Sequence, residues 1–283
     1  MSNDASSWYN KFVNIINSGQ KLFTMNQNLE KLIQTEKEVL YALAVQNNRE
    51  YYEKICSLLQ IRRPAGIPLK RFGRAFDGGY IMADCFSERT VAYSFGICDD
   101  VSWDRDLAER GIPVFMYDHT IAGLPESHPN FHFFPTGIGT KRTKSIQTLS
   151  DILEQNGHAR HDDLVLKLDV EGVEYDVIHA CDERTLNNFS QIVIEWHHIL
   201  EPSNNAVLPV LEKINALFQC IHIHGQRVPC ARLGHKILPN FIEATYLRKK
   251  DFSFTDESYT GPLDIDYPTF ENSSEIHLGD YST

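Results

Sequence analysis

Leu164-Val165-Leu166-Lys167-Leu168-Asp169-Val170-Glu171-Gly172-Val173-Glu174 decides the fold. Five of its first seven residues are apolar, the pattern of a strand covered on both faces. The strand delivers Asp169 and Glu171 to its C-terminal end, and Gly172 turns the chain into a helix. Ligands of open parallel sheets bind at the carboxyl ends of strands. Asp169 is therefore a candidate for chemistry, with a plain helix-capping acid as the alternative. Glu171, just past the strand end, reads as a helix-start acid.

Working outward, strands and helices alternate. Val91–Phe95 is a first strand ended by Gly96, and Ser102–Arg110 a helix with Ser102 as N-cap and Gly111 as C-cap. Val114–Tyr117 is a second strand ending in Asp118. Phe131–Phe134 is a third, followed by a Gly-Ile-Gly loop at 137–139 and a helix over Ser145–Asn156. Leu164–Val170 is the fourth strand, with a helix over Glu174–Ala180. Gln191–Glu195 is the fifth, with a helix over Ala206–Phe218. Cys220–His224 and Phe241–Leu247 close the pattern as a possible antiparallel edge pair. Such alternation predicts a doubly wound α/β fold, a mostly parallel seven-stranded sheet with helices on both faces.

Residues 1 to about 60 are helical in pattern, with one Gly and no Pro. Ile15, Leu22, Leu29 and Leu43 share one heptad position, and Met25, Leu32 and Val39 another; Glu36 and Gln46 interrupt the seam. The stretch suits either a self-association arm, which makes a homo-oligomer, or a helix pair packed on its own domain. Arg62–Pro68 breaks the pattern. The chain divides into a helical arm (1–60), an α/β body (61–250) and a tail (251–283). The tail holds eight acids and no Lys or Arg, but keeps six aromatics, too many for a purely solvating segment.

The chain has 283 residues and a net charge of −11, which argues against a nucleic-acid partner. Without the tail the balance is 27 basic against 30 acidic residues, so the charge says little about a cleft in the body. No apolar run approaches the ~20 residues of a membrane span. The N-terminal residues lack the signature of a secretory signal. The six cysteines form no CxxC pair, which leaves neither a metal knuckle nor a disulfide framework. A cytoplasmic location with reduced thiols is expected.

The loop Gly96-Ile97-Cys98-Asp99-Asp100-Val101-Ser102 joins the first strand to the first helix, where a doubly wound fold holds a nucleoside-like ligand. It lacks the three glycines of a dinucleotide fingerprint, and its two acids repel a pyrophosphate. They suit the ammonium and positive sulfur of S-adenosylmethionine better. Asp118, about twenty residues after Gly96, stands where an acid commonly accepts hydrogen bonds from ribose hydroxyls. Phe76-Asp77-Gly78-Gly79-Tyr80 reads as a Gly-Gly hairpin turn.

Three strand ends then converge, with Asp169 and Glu171 on the fourth, Glu195, His197 and His198 on the fifth, and His222 and His224 on the sixth. Transfer to a hydroxyl needs its proton removed, by a His or carboxylate base or with a divalent ion. Asp169, Glu195 and one of His197 or His224 make a mixed set for Mg²⁺, Mn²⁺ or Fe²⁺. His197 and His198 point to opposite sides if the strand continues, so at most one faces the site. Lys141, Arg142 and Lys144, or Arg227, Arg232 and Lys236, are candidates to hold a phosphorylated acceptor, with a solvated face as the alternative.

Together these motifs resemble the FkbM-like branch of the S-adenosylmethionine-dependent methyltransferases. The stretches that carry the resemblance are Leu166–Glu174, Ile192–His197 and Leu238–Tyr246, supported by Tyr93–Trp103 and by the Gly-Gly-Tyr turn at Phe76–Tyr80. It covers roughly residues 70–250. It implies a class I, Rossmann-like methyltransferase fold and O-methylation, often of sugars or natural products. It implies that Gly96 and Asp118 contact the cofactor and that Asp169 sits at the reacting centre. Asp77, Gly79, Tyr80, Ile97, Asp99, Ser102 and Asp169 are the further cofactor-binding candidates. Catalysis falls to Asp169, Glu195, His197 and His224. Cys98 departs from the pattern, since related enzymes often carry Gly or a small residue there. The expected acceptor is a sugar, as a sugar nucleotide or a surface-polysaccharide precursor. The rival readings are a nicotinamide-dependent oxidoreductase on the same sheet and a non-catalytic scaffold.

Overall fold

The computed structural model describes residues 46–225, 229–257 and 259–281. The heptad positions from Ile15 to Leu43, and Arg227, lie outside the described residues.

Seven strands form the central sheet, namely β1 (Val91–Phe95), β2 (Val114–Tyr117), β3 (Phe131–Phe134), β4 (Leu164–Leu168), β5 (Phe189–Trp196), β6 (Phe218–Gly225) and β7 (Ile242–Arg248). Their order across the sheet is β6-β7-β5-β4-β1-β2-β3. β1 to β5 run parallel, and β7 is antiparallel to both β5 and β6. The last two strands thus pair as expected, but β7 inserts beside β5 and leaves β6 at the edge. Every residue of β1 and β4 is buried. That is why β4 reads as an almost unbroken apolar run, and it makes Lys167 in its middle an exception to explain.

The described helices are α1 (Arg49–Leu58), α2 (Ser102–Ala108), α3 (Leu149–Gln155), α4 (Glu174–Ala180), α5 (Glu183–Leu186) and α6 (Val207–Leu217). Trp103 and Leu107 of α2 pack against Val114, Met116, Val165 and Val193 on one sheet face. Fully burying a side chain of that size stabilises by about 1.5–3 kcal/mol. Ser102 is not the N-cap of α2. It is the first helical residue, and the Asp100 carboxylate accepts from both its N–H and its Oγ–H, at 3.0 Å each. The helix predicted from Ser145 starts at Leu149, capped by Thr148 Oγ1, which accepts from Asp151 N–H at 3.2 Å. Ile146–Gln147 before it pairs with Gly137–Ile138 as a short parallel ladder.

One compact unit runs from Asn48 to Thr283. The body therefore begins at α1 rather than at residue 61, and it includes the tail. α1 buries Tyr52, Ile55, Cys56 and Leu58, and Tyr52 donates to the Leu200 carbonyl at 3.1 Å. In the tail, Phe254–Thr255 pairs with Arg63–Pro64, and Thr260–Gly261 with Gly279–Asp280. Tyr259, Leu278 and Tyr281 are buried, so the acidic tail contributes to the core through its apolar residues. No helix among the described residues is long and apolar enough to cross a membrane.

Candidate active site

Sheet register builds the site. Phe95, Tyr117, Leu168 and Ile194 lie in one row across β1, β2, β4 and β5. The next residues on those strands are Gly96, Asp118, Asp169 and Glu195, so one row of strand ends carries them together. The row continues through Glu243, paired with Glu195 in one direction and His224 in the other. The order of the sheet reverses between β1 and β4, which is where open sheets leave a crevice.

A cavity of about 410 Å³ fills that crevice, within the usual range for a small-molecule site. Asp77, Tyr80, Gly96, Ile97, Asp99, Asp118 and Asp169 line it, with Gly78, Asp104, His119, Lys167, Glu171 and Val173 among the others. Gly79 and Ser102 stand behind the wall. Gly79 lies against the Arg74 carbonyl with no room for a Cβ, and Ser102 accepts the Arg74 N–H at 2.8 Å. The Gly-Gly turn is the tip of a hairpin between Leu69–Phe72 and Tyr80–Ala83, and it also walls the cavity.

Gly96 adopts φ +79°, and a Cβ there would overlap the Asp169 carbonyl oxygen. The β1 and β4 ends thus touch backbone to backbone, with Asp169 N–H donating to the Phe95 carbonyl at 3.1 Å. Lys167 explains its burial here, since its Nζ donates to the Gly96 carbonyl at 2.7 Å and lies 3.8 Å from Asp169 Oδ2. Asp118 closes the first loop. Oδ2 accepts from the N–H groups of Ile97 (2.9 Å) and Cys98 (3.0 Å), and Oδ1 from Thr120 N–H (2.7 Å) and Oγ1 (2.6 Å). Burial alone would raise its pKa, but these hydrogen bonds hold it below the usual carboxylate value. Cys98 sits at φ +51° and Glu171 at φ +58°, a region that non-glycine residues adopt at a cost.

Beside this wall lies a buried acid–base cluster. Tyr80 donates to Asp169 Oδ2 at 2.9 Å. His197 is 5% exposed, with Nδ1 2.9 Å from Glu174 Oε1. Its Nε2 is 4.0 Å from Asp169, 3.5 Å from Glu171 and 3.7 Å from Glu195. Burial would lower the His197 pKa, but the Glu174 hydrogen bond and charge, then Asp169 and Glu171, outweigh it and raise it. Burial, then the Asp169 and Glu243 charges, push Glu195 well up. Burial pushes Asp104 up to about 6 against the pull of Lys167.

The capping role first considered for Asp169, and then for Glu171, belongs to Glu174. This fully buried first residue of α4 turns its Oε1 back onto the N–H groups of Val170 (2.9 Å) and Gly172 (3.1 Å) while holding His197. Glu171 caps nothing; its side chain is 89% exposed at the cavity edge. Of the histidine pair, His197 turns inward and the exposed His198 pairs with Glu201 at 3.2 Å.

The structure brings Asp169, Glu195 and His197 together. Each offers one ligand atom, and those atoms lie within 4.8 Å of one another; Asp77, Glu195 and Glu243 do the same. His224 is not part of the first group. Its Nδ1 meets Glu243 at 3.1 Å and its Nε2 meets Glu275 of the tail at 2.9 Å. Burial would lower its pKa, but those two carboxylates push it up to about 11. His222 pairs with Asp266 at 3.1 Å. Lys141, Arg142, Lys144 and Arg232 are exposed, Lys236 stacks on Tyr281, and none of the five lines the cavity.

The strand order and the crevice at its switch point define a Rossmann-like sheet, the kind of fold class I methyltransferases use. The family model of the methyltransferase FkbM domain matches residues 88–228, and the chain is an FkbM-like methyltransferase. No curated protein matches the chain. The family match displaces the oxidoreductase and scaffold readings. It implies S-adenosylmethionine as methyl donor, and the cavity fits that group in chemistry. Gly96 and Asp118 line it at the ends of β1 and β2, and Asp77, Asp99 and Asp169 offer negative charge to a cation.

Proposed function

We propose that this methyltransferase acts on a hydroxyl of a sugar, carried as a sugar nucleotide or as a polysaccharide precursor. The observation that carries the reading is the His197 imidazole. Its Nδ1 is locked by Glu174, and its Nε2 is turned toward Asp169 on the cavity wall. A separation of 4.0 Å from Nε2 to Asp169 Oδ1 is too long for a hydrogen bond between them, which leaves both free to contact one hydroxyl oxygen set beside the pair. Asp169 orients the acceptor hydroxyl, and Nε2 of His197 takes its proton. Glu174 stabilises the imidazolium so formed. Lys167 and Tyr80 hold Asp169 in place. When bound, S-adenosylmethionine supplies a methyl group on a positive sulfur. Gly96, Ile97, Asp99 and Asp118 hold it, and Asp169 faces its charged end. A positioned base contributes about 10²–10⁴-fold.

The 4.8 Å grouping of Asp169, Glu195 and His197 favours a second reading, in which the same three residues bind Mg²⁺, Mn²⁺ or Fe²⁺ and the ion acidifies the hydroxyl. A locked imidazole with a carboxylate behind it is common among metal ligands. The test is transfer of labelled methyl from S-adenosylmethionine to a panel of sugar nucleotides and polysaccharide precursors, before and after chelation. No labelled sugar refutes the acceptor class. Loss on chelation with recovery on adding metal selects the ion, and unchanged activity selects the base.

A further inference from the structure

Three large apolar side chains are exposed among the described residues, namely Val173 (39%), Tyr267 (42%) and Phe270 (66%). Single exposed apolar residues need no explanation, but a group does. One of the three lines the cavity, and the segment that carries the other two reaches its rim. Val173 lines it. Tyr267 meets the Phe76 ring edge-on at 5.9 Å, and Asp77, the next residue and a lining residue, donates its N–H to the Thr269 carbonyl at 3.2 Å. Tyr267 and Phe270 thus flank Thr269, which is hydrogen-bonded to the cavity rim.

The segment is clamped there. Asp266 on one side pairs with His222, and Glu275 on the other pairs with His224, through side chains that are at most 17% exposed. The Arg71 guanidinium lies 5.1 Å over the Tyr267 ring. Burying ion pairs is costly, so a loop held by two of them while it shows aromatic rings to water invites a binding role. Part of the rim lies outside the matched domain. Gly96, Asp118, Asp169, Glu195 and His197 fall within residues 88–228, as do Val173 and Glu171, whereas Phe76, Asp77, Tyr267 and Phe270 do not.

We propose that Tyr267 and Phe270, with Val173, form the acceptor platform of this enzyme, holding a neutral sugar ring by its C–H face while Asp77 and Glu171 accept its hydroxyls. The proposal rests on the sugar-hydroxyl reading above. The chemistry is complementary. A pyranose has an apolar face that suits an aromatic ring, and its hydroxyls donate to carboxylates. The same carboxylates repel an anionic group at the mouth, so any phosphate of the acceptor lies away from it.

The test uses the full chain loaded with S-adenosylhomocysteine and saturation-transfer NMR with methyl pyranosides, UDP-glucose and GDP-mannose. The ring C–H protons of at least one sugar are expected to receive saturation. Tyr267→Ala and Phe270→Ala are expected to cut that signal at least about fivefold. With a sugar that is methylated, they are expected to raise acceptor KM about tenfold or more with kcat little changed, the signature of lost binding. Phe270→Trp restores binding, and the dissociation constant for S-adenosylhomocysteine stays within about twofold throughout. Phe270 is mostly exposed, so its truncation leaves folding intact. Equal sugar signals in wild type and variants overturn the platform, as does a wild type that contacts no sugar, or a Phe270→Ala variant that only dissolves a dimer. The methylation assay separates the two readings. A sugar methylated equally well by wild type and variants sinks the platform alone, and a chain that methylates no sugar sinks the acceptor class as well.

Discussion

Replacing Glu174 by Gln tests the heart of the site. The amide oxygen of Gln still accepts from Val170 and Gly172, so the turn into α4 keeps its hydrogen bonds. What goes is the negative charge 2.9 Å from His197 Nδ1. A hydrogen bond to a charged group contributes about 1.5–3 kcal/mol and a neutral one about 0.5–1.5, so the imidazolium loses on the order of 1.4 kcal/mol, one pKa unit. Two measurements follow. First, kcat/KM should rise with pH as His197 loses its proton, with the inflection above the ordinary 6.5 in the wild type. In Glu174→Gln it should move down by about one unit, with the plateau lower by up to about tenfold. Second, the raised folded-state pKa adds stability that is complete below the unfolded value and fades as pH rises through the folded one. Urea titrations should show the variant less stable than wild type below about pH 6.5, with the gap closing at alkaline pH. Identical pH–rate profiles, or a stability gap that widens with pH, refute the assignment of His197 as the proton acceptor. Glu174→Ala is the contrast. It removes the acceptor of two half-buried N–H groups, at up to about 1 kcal/mol each, and should destabilise at every pH.

Other expected outcomes are read by equally direct means. Gly96→Ala forces a methyl into the Asp169 carbonyl at φ +79°; it should abolish S-adenosylhomocysteine binding by calorimetry and cost more than about 4 kcal/mol of stability. Cys98→Gly relieves a left-handed residue at φ +51° and should leave stability unchanged or raise it by up to about 1 kcal/mol in chemical denaturation; a clear loss would mean that the Cys98 side chain supports the loop. Asp118→Asn turns an amide N–H toward backbone donors and should cost about 1–3 kcal/mol. Because the wild-type pKa is depressed, the Asp118 contribution is present above the unfolded value near 4 and vanishes as pH falls through the folded one.

The sheet was legible because its central strands are buried on both faces and its edge strand β3 is still a mostly aromatic run. Val91–Phe95, Val114–Tyr117 and Phe131–Phe134 match their observed limits, since each is a short apolar run bounded by Gly, Pro or a charged residue. Strand ends that run on into polar residues were not. β5 extends through Trp196 and β6 through Gly225, because pairing with β7 continues past the apolar stretch. In the cluster, Asp169, Glu195 and His197 were visible as strand-end residues. Glu174 was not, although the signal was there: an acid between Val173 and Tyr175, at the start of a helix whose apolar face packs inward, has to be partnered. Lys167 gave a similar signal as the charged residue inside a buried strand. His224 misled because strand position alone cannot show which of two carboxylate-bearing elements takes a histidine, and its partner Glu275 lies 51 residues on.

The division of labour along the chain follows from these contacts. Donor binding needs backbone that can be approached closely and acids at fixed strand ends, features that sheet register sets by itself. Gly96, Asp118 and Asp169 therefore sit one residue past a hydrogen-bonded row. Acceptor binding has no such internal ruler. The mouth is shaped by a hairpin turn before the sheet and by a tail segment after it, brought together by His222–Asp266, His224–Glu275 and the Asp77–Thr269 hydrogen bond. A change in the tail can then alter what the enzyme methylates without disturbing the row of strand ends that holds the reacting groups. His224, which read as a catalytic candidate, and His222 beside it are explained by these contacts: they tie the tail segment to the sheet.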